Sequence, residues 1–124
     1  MTKLTILVAD DSSTVRTMVK RILEGAGHTV VTAVDGAEAV TQIREHSPDL
    51  AVLDVVMPGV DGYAVCEQLK QMGTPWSELP IVFLTCVKSR ALELLGQEYG
   101  AYLNKPVQAE PLLSAIENHF SRSA

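Results

Sequence analysis

The chain has 124 residues, of which 47% are apolar and 20% are charged, and its formal net charge is −5. This length allows one sizeable buried core and is too short for two ordinary domains, so we expect a single domain over residues 1–124. The acidic balance, with no cluster of Lys and Arg, argues against direct nucleic-acid binding.

The sequence contains no run of 18 apolar residues, and its first residues lack the pattern of a secretory signal. We therefore predict a cytoplasmic protein with no membrane partner. Cys66 and Cys86 lack CxxC spacing, which favours reduced thiols. His28, His46 and His119 show no metal-ligand spacing and are predicted to be surface residues.

Apolar runs alternate with helical patterns along the whole chain, which is typical of repeated βαβ units and a parallel sheet. The predicted strands cover Leu4–Ala9, His28–Ala33, Leu50–Leu53, Ile81–Leu84 and Ala101–Leu103. Five βα units follow from this pattern. They predict an α/β fold, a doubly wound five-stranded parallel sheet with helices on both faces, or (βα)5.

Helix signals follow each predicted strand. Ser12 is a suitable N-cap for the first helix, which Gly25 and Gly27 end. A fourth helix is predicted around residues 91–95, and the fifth and last helix has an apolar face with Leu112 and Ile116. The final residues, 121–124, are predicted to be a fraying tail.

Polar side chains follow four of the five predicted strands. They are Asp10 and Asp11, Asp54, Thr85 and Lys105. Because the carboxyl ends of parallel strands meet at one edge of a sheet, we expect these side chains to share a pocket. Carboxylates are ligands that suit Mg²⁺, and a hydroxyl and an ammonium can bind phosphoryl oxygens.

Asp54 could accept a phosphoryl group in such a pocket if nearby cations neutralised the negative charge. Repulsion among three carboxylates should raise some of their pKa values and lower the local stability of the empty site. Taken singly, Asp10-Asp11 could be a helix cap, Asp54 a loop carboxylate and Lys105 a solvated charge. Their joint spacing favours the site.

The chain resembles the receiver domain of two-component response regulators, the family that includes the bacterial chemotaxis regulator. The resemblance covers residues 4 to about 120. It rests on Asp10-Asp11-Ser12, the segment DVVMPGVDG at residues 54–62, Thr85 and Lys105-Pro106. It implies the flavodoxin-like strand order 2-1-3-4-5 and a partner, a sensor histidine kinase or phosphotransfer protein, that donates a phosphoryl group to Asp54.

The resemblance also implies roles for single residues. Asp11, Asp54 and the main-chain carbonyl of Val56 would bind Mg²⁺ directly, and Asp10 would act mainly through water. Lys105 would bind a phosphoryl oxygen and precede a cis bond to Pro106.

Thr85 and Tyr102 match the family's switch pair, in which the hydroxyl moves toward the phosphate and the ring turns inward. The fourth predicted helix, the fifth strand and the last helix would form the α4-β5-α5 face, through which the domain would bind its output partner or self-associate.

Three positions depart from the usual pattern of the family. Cys86 follows Thr85 where Ala or Gly is usual, which predicts tighter access for the donor. Val56 and Val87 are apolar where many members have polar groups that influence attack by water on the acyl phosphate. This predicts a relatively long-lived phosphorylated state.

Three functions are compatible with this sequence. The first is a phosphorylation-controlled signalling switch with self-phosphorylation from donors and autodephosphorylation. The second is an aspartate-nucleophile phosphatase like the haloacid dehalogenases, although those resemble a larger chain with a DxD pattern after the first strand. The third is a phosphate-independent interaction module. A single-domain regulator and a receiver cut from a longer regulator or hybrid kinase fit the sequence equally.

Overall fold

A computed structural model describes residues 3–57, 59–85 and 101–123. Its strands are β1 Thr5–Ala9, β2 Thr29–Ala33, β3 Leu50–Asp54, β4 Ile81–Thr85 and β5 Ala101–Asn104. Its α-helices are α1 Ser13–Gly25, α2 Gly36–His46, α3 Gly62–Met72 and a C-terminal helix, Ala109–Ser123. A short 3-10 helix, Trp76–Glu78, precedes β4. The helix predicted around residues 91–95 lies outside the described residues.

The five strands form one parallel sheet in the order β2-β1-β3-β4-β5. The register places Leu7 of β1 between Val31 of β2 and Ala51 of β3. The predicted fold class and strand order are therefore confirmed. At the site, β3 and β4 each end one residue later than predicted. Asp54 and Thr85 are the last residues of their strands rather than the first residues after them.

The core has two halves, one on each face of the sheet. In β3, Ala51 and Leu53 pack into the half formed with α2 and α3, whereas Leu50 and Val52 pack into the half formed with α1 and the C-terminal helix. All five residues of β3 are buried. A central strand covered on both faces must be apolar throughout, which is the pattern that the sequence shows.

Side-chain caps begin the three helices that follow β1, β2 and β3. The Ser12 hydroxyl accepts a hydrogen bond from the Val15 amide at 3.3 Å, as predicted. Asp35 and Asp61 cap α2 and α3 in the same way. These caps satisfy amide groups that have no partner within the helix, and they fix where the chain turns after each strand.

Two local predictions were wrong. The C-terminal helix continues to Ser123, because no Gly or Pro interrupts the chain after Ile116, so residues 121–123 are not a tail. His28 is half-buried, and its Nδ1 accepts a hydrogen bond from the Leu4 amide at 3.1 Å. His46 is exposed, as predicted, and the side chain of His119 lies outside the described part.

None of the helices in the described ranges combines the length and apolar content that a membrane span requires.

Candidate functional site

Four neighbouring strands bring the predicted site residues to one edge of the sheet. Asp10 directly follows β1, Asp54 ends β3, Thr85 ends β4 and Lys105 directly follows β5. These strands are parallel and adjacent, so their carboxyl ends lie side by side. Asp10 is fully buried, Asp54 is 5% exposed and Thr85 is 1% exposed, whereas Asp11 faces the solvent.

Lys105 joins the two buried carboxylates. Its Nζ lies 2.8 Å from Asp10 Oδ2 and 3.2 Å from Asp54 Oδ2. The Lys105 amide donates to the Thr85 carbonyl at 2.8 Å, which ties the residue to the end of β4. Burial lowers the pKa of Lys105, but its contacts with Asp10 and Asp54 outweigh burial, and the pKa is raised.

The bond between Lys105 and Pro106 is cis, as the family resemblance implied.

Asp54 is a buried carboxylate whose pKa is changed by burial and by the charges of its neighbours. Burial, and next the negative charge of Asp10, raise its pKa from 3.8 to about 6, although Lys105 acts in the opposite direction. The Val56 amide donates to Asp54 Oδ1 at 3.2 Å. The predicted direction of the shift is therefore confirmed, with burial rather than repulsion as its largest cause.

Asp10 is held by its own loop and by a residue that the sequence reasoning missed. Asp10 Oδ1 accepts from the Ser12 amide at 2.9 Å, and Arg16 Nη1 donates to the Asp10 carbonyl at 2.7 Å. Arg16 lies near the amino end of α1, where the helix dipole disfavours a cation. An arginine at this unfavourable position could have indicated that its guanidinium binds an acceptor outside the helix.

The carboxylates of Asp10, Asp11 and Asp54 could hold a metal ion, since one oxygen from each lies within 4.8 Å of the others. Oxygens that bind Mg²⁺ lie about 2.1 Å from the ion, so these carboxylates could reach it directly or through water. Among the described residues, one ammonium, that of Lys105, contacts this group of three carboxylates, so the group is acidic and suits a cation.

The structure places Val56 beside the site through its amide, and its apolar side chain is 59% exposed. The role of its carbonyl as a metal ligand stays a prediction. Cys86 and Val87 lie outside the described residues, so the predictions about donor access and about the lifetime of a phosphorylated state are also untested.

Thr85 and Tyr102 lie on the same face of neighbouring strands. Tyr102 pairs in register with Phe83, two residues before Thr85, and packs against the core half formed with α2 and α3. Tyr102 is therefore diagonal to Thr85 on that face of the sheet. The rings of Tyr63 in α3 and Phe83 make a tilted contact, with centroids 4.9 Å apart. Burial, and next Tyr102, raise the pKa of Tyr63. The predicted switch pair therefore has an aromatic neighbour that the sequence did not indicate.

A parallel five-stranded sheet with buried carboxylates, a hydroxyl and an ammonium at its carboxyl edge is the architecture of a receiver domain. A family model described as response regulator receiver domain matches residues 6–117. The chain belongs to this family, the receiver domains of two-component response regulators.

Three similar proteins illustrate the relationship. The chain is 44% identical over 113 residues to response regulator MprA of Mycobacterium ulcerans, an alignment that covers 90% of this chain and 47% of that protein. A solved structure from Chloroflexus aurantiacus has a TM-score of 0.88 and 36% identity, covering 98% of this chain and 100% of the other.

Chemotaxis protein CheY4 of Vibrio cholerae has a TM-score of 0.85 and 32% identity, covering 95% of this chain and 99% of the other. The chain spans about half the length of the curated relatives that it matches.

Proposed function

We propose that this domain is a phosphorylation-controlled switch in which Asp54 accepts a phosphoryl group from a sensor histidine kinase or phosphotransfer protein. The observation that carries the proposal is the position of the Asp54 carboxylate, 3.2 Å from the Lys105 ammonium and within 4.8 Å of the carboxylates of Asp10 and Asp11. Family membership supports the same class of donor.

In the proposed reaction, a carboxylate oxygen of Asp54 attacks the phosphorus of a phosphohistidine. A P–O bond forms, the P–N bond breaks, and its electron pair returns to the histidine nitrogen. The product is an acyl phosphate on Asp54. In autodephosphorylation, water attacks the same phosphorus, the P–O bond to Asp54 breaks, and the carboxylate and inorganic phosphate are released.

Lys105 would bind an oxygen of the transferred group, since its ammonium already lies beside Asp54. The Thr85 hydroxyl would donate to another oxygen. Asp10, Asp11, Asp54 and the Val56 carbonyl would hold Mg²⁺, and a donor set of carboxylate and carbonyl oxygens fits this ion. When bound, Mg²⁺ would neutralise the phosphoryl charge.

The switch would use Thr85 and Tyr102. Phosphorylation would favour the arrangement in which the hydroxyl binds the phosphate and the ring fills the space behind it, so that a pre-existing minor state becomes dominant. The output partner or a second copy would read this change at the α4-β5-α5 face. Of that face, the structure describes β5 and the C-terminal helix.

The experiment is incubation with Mg²⁺ and acetyl phosphate, followed by intact-protein mass spectrometry. We expect wild type to gain one phosphoryl group only when Mg²⁺ is present, and Asp54→Asn to gain none. Asp61→Asn is a matched control, because Asp61 is an exposed carboxylate near the same loop and asparagine preserves the helix cap. This control should be modified like wild type.

The outcome also separates the alternatives. A phosphatase would release phosphate continuously from free phosphomonoesters, and an inert interaction module would neither gain phosphate nor change. Failure of the wild-type protein to gain a Mg²⁺-dependent phosphoryl group from a competent donor would contradict the proposal. The decay rate of the modified protein would test the predicted long-lived state. The cytoplasmic location, the absence of nucleic-acid binding and the single-domain organisation stay predictions.

A further inference from the structure

A close backbone contact holds the end of β3 against the start of α3. Gly62, the first residue of α3, is buried, and its amide donates to the Val55 carbonyl at 3.0 Å. A Cβ at residue 62 would lie 2.6 Å from the carbonyl oxygen of Asp54 and 3.2 Å from Val55 Cα. Any side chain here would therefore press on the backbone of the proposed nucleophile.

A second contact fixes the loop between β3 and α3, residues 55–61, from a different helix. Gly36 is the first residue of α2, and a Cβ there would overlap the Val60 carbonyl oxygen and lie 2.8 Å from the Val60 carbonyl carbon. The obstacle is backbone, which cannot rotate away as a flexible side chain can. Gly36 therefore lets the amino end of α2 sit directly against the loop.

This loop carries the Val56 amide, which belongs to the site. The Val56 amide donates to Asp54 Oδ1, and the adjacent Val55 and Met57 are buried in the core half with α2 and α3. Val60 and the Val56 amide are four residues apart in one short loop. Val60 packs against the same core half as Val55 and Met57, so a displacement of Val60 would disturb the packing on both sides of the Val56 amide.

We propose that Gly36 is a positioning residue for the acidic site. By leaving room for the Val60 backbone, Gly36 holds the loop so that the Val56 amide donates to Asp54 Oδ1. The three atoms nearest to a Cβ at Gly36 all belong to Val60, so Gly36 would act through the loop. The proposal rests on the proposed function, because it assigns Gly36 to the site that would bind Mg²⁺ and phosphate.

The test compares Gly36→Ala with Gly25→Ala. Gly25 ends α1, and a Cβ there has nothing within 4 Å, so it is a matched control for the change from glycine to alanine. A further variant, Val60→Gly, loosens the loop without a clash, since glycine enlarges the conformational freedom of the backbone.

The readouts are the Mg²⁺ dissociation constant from calorimetry, the NMR shift of the Val56 amide proton, and urea unfolding. We expect Gly36→Ala and Val60→Gly to weaken Mg²⁺ binding by about fivefold or more and to move the Val56 amide resonance. Gly25→Ala should change neither quantity. A purely structural role would lower the stability of the variants without moving the Val56 resonance or the Mg²⁺ affinity of the folded protein.

Folded Gly36→Ala and Val60→Gly that bind Mg²⁺ within about twofold of wild type, with an unmoved Val56 resonance, would overturn the proposal. If Gly36→Ala does not fold, the Mg²⁺ dissociation constant and the Val56 amide shift of Val60→Gly test the proposal. If wild type itself fails to bind Mg²⁺ or to gain phosphate, the proposed function fails, whereas the Val56 resonance still tests whether Gly36 positions the loop.

Discussion

Replacing Asp54 with asparagine should make the domain more stable at neutral pH in the absence of Mg²⁺. Asparagine has nearly the same shape, keeps an oxygen that can accept from the Val56 amide, and has no charge to bury. In wild type, burial and Asp10 raise the pKa of Asp54 from 3.8 to about 6 on folding. The folded protein therefore holds a proton on Asp54 at pH values where the unfolded chain has lost it.

The sign and size of the effect follow from this difference in proton affinity. Between about pH 4 and pH 6, wild type loses stability as the pH rises, because its folded state must give up a tightly held proton. A tenfold difference in proton affinity corresponds to about 1.4 kcal/mol, so a pKa raised from 3.8 to about 6 costs about 3 kcal/mol at neutral pH. Below pH 4 the contribution disappears.

The measurement is urea unfolding of both proteins in chelator at several pH values from about 4 to 7.5. Trp76, the single tryptophan, is half-buried and provides the fluorescence signal. The free-energy difference between Asp54→Asn and wild type should grow in favour of the variant by about 3 kcal/mol across this range. Adding Mg²⁺ should stabilise wild type and remove most of the difference.

A free-energy difference that stays constant between pH 4 and pH 7.5 would refute the reasoning. So would a difference that turns in favour of wild type as the pH rises without Mg²⁺. Either result would mean that Lys105, at 3.2 Å, compensates the Asp54 charge fully and that burial imposes no net cost on it.

The remaining predictions concern three other side chains. Lys105→Met should lower the Mg²⁺-free stability by about 3 kcal/mol, since it leaves buried Asp10 without its cation, and Mg²⁺ should recover part of the loss in urea unfolding. Arg16→Met should weaken Mg²⁺ binding severalfold in calorimetry, because the Asp10 carbonyl loses its 2.7 Å donor. Ser47→Gly should raise the thermal midpoint, with a gain of about 0.5–1 kcal/mol, because Ser47 has a left-handed backbone with φ 45° and ψ 59°.

Each of these predictions has an outcome that contradicts it. Unchanged stability of Lys105→Met would show that the Lys105 ammonium gives no net stabilisation to the buried carboxylates that it contacts. Wild-type Mg²⁺ affinity in Arg16→Met would show that the loop holds Asp10 without the guanidinium. A lower midpoint for Ser47→Gly would show that the serine side chain contributes more than its backbone strain costs.

The strands and their order agree with the sequence prediction, and the differences are informative. Asp54 and Thr85 were expected just outside the sheet, but both belong to it, and the Val55 amide still donates to the Leu84 carbonyl at 2.9 Å. A polar residue after an apolar run ends the hydrophobic pattern. It does not end the hydrogen-bond ladder, because backbone groups pair whatever side chain they carry.

Two of the contacts that the sequence did not predict join segments far apart in the chain. Gly36 lies against the Val60 backbone, and His28 Nδ1 accepts a hydrogen bond from the Leu4 amide. Arg16 lies only six residues from Asp10, yet its guanidinium binds a carbonyl rather than an acidic side chain. Periodicity indicates which face of an element is apolar, but it carries no information about which backbone atoms of another element lie opposite.

The sequence by itself determined the alternation of strands and helices and the polar residues at the strand ends that make up the candidate site. These properties follow from residue type and spacing, which are local. The tertiary structure alone decided that Lys105 joins Asp10 to Asp54 and that Asp11 stays exposed. It also decided that burial is the largest cause of the raised Asp54 pKa, because desolvation and distance depend on residues that only folding brings together.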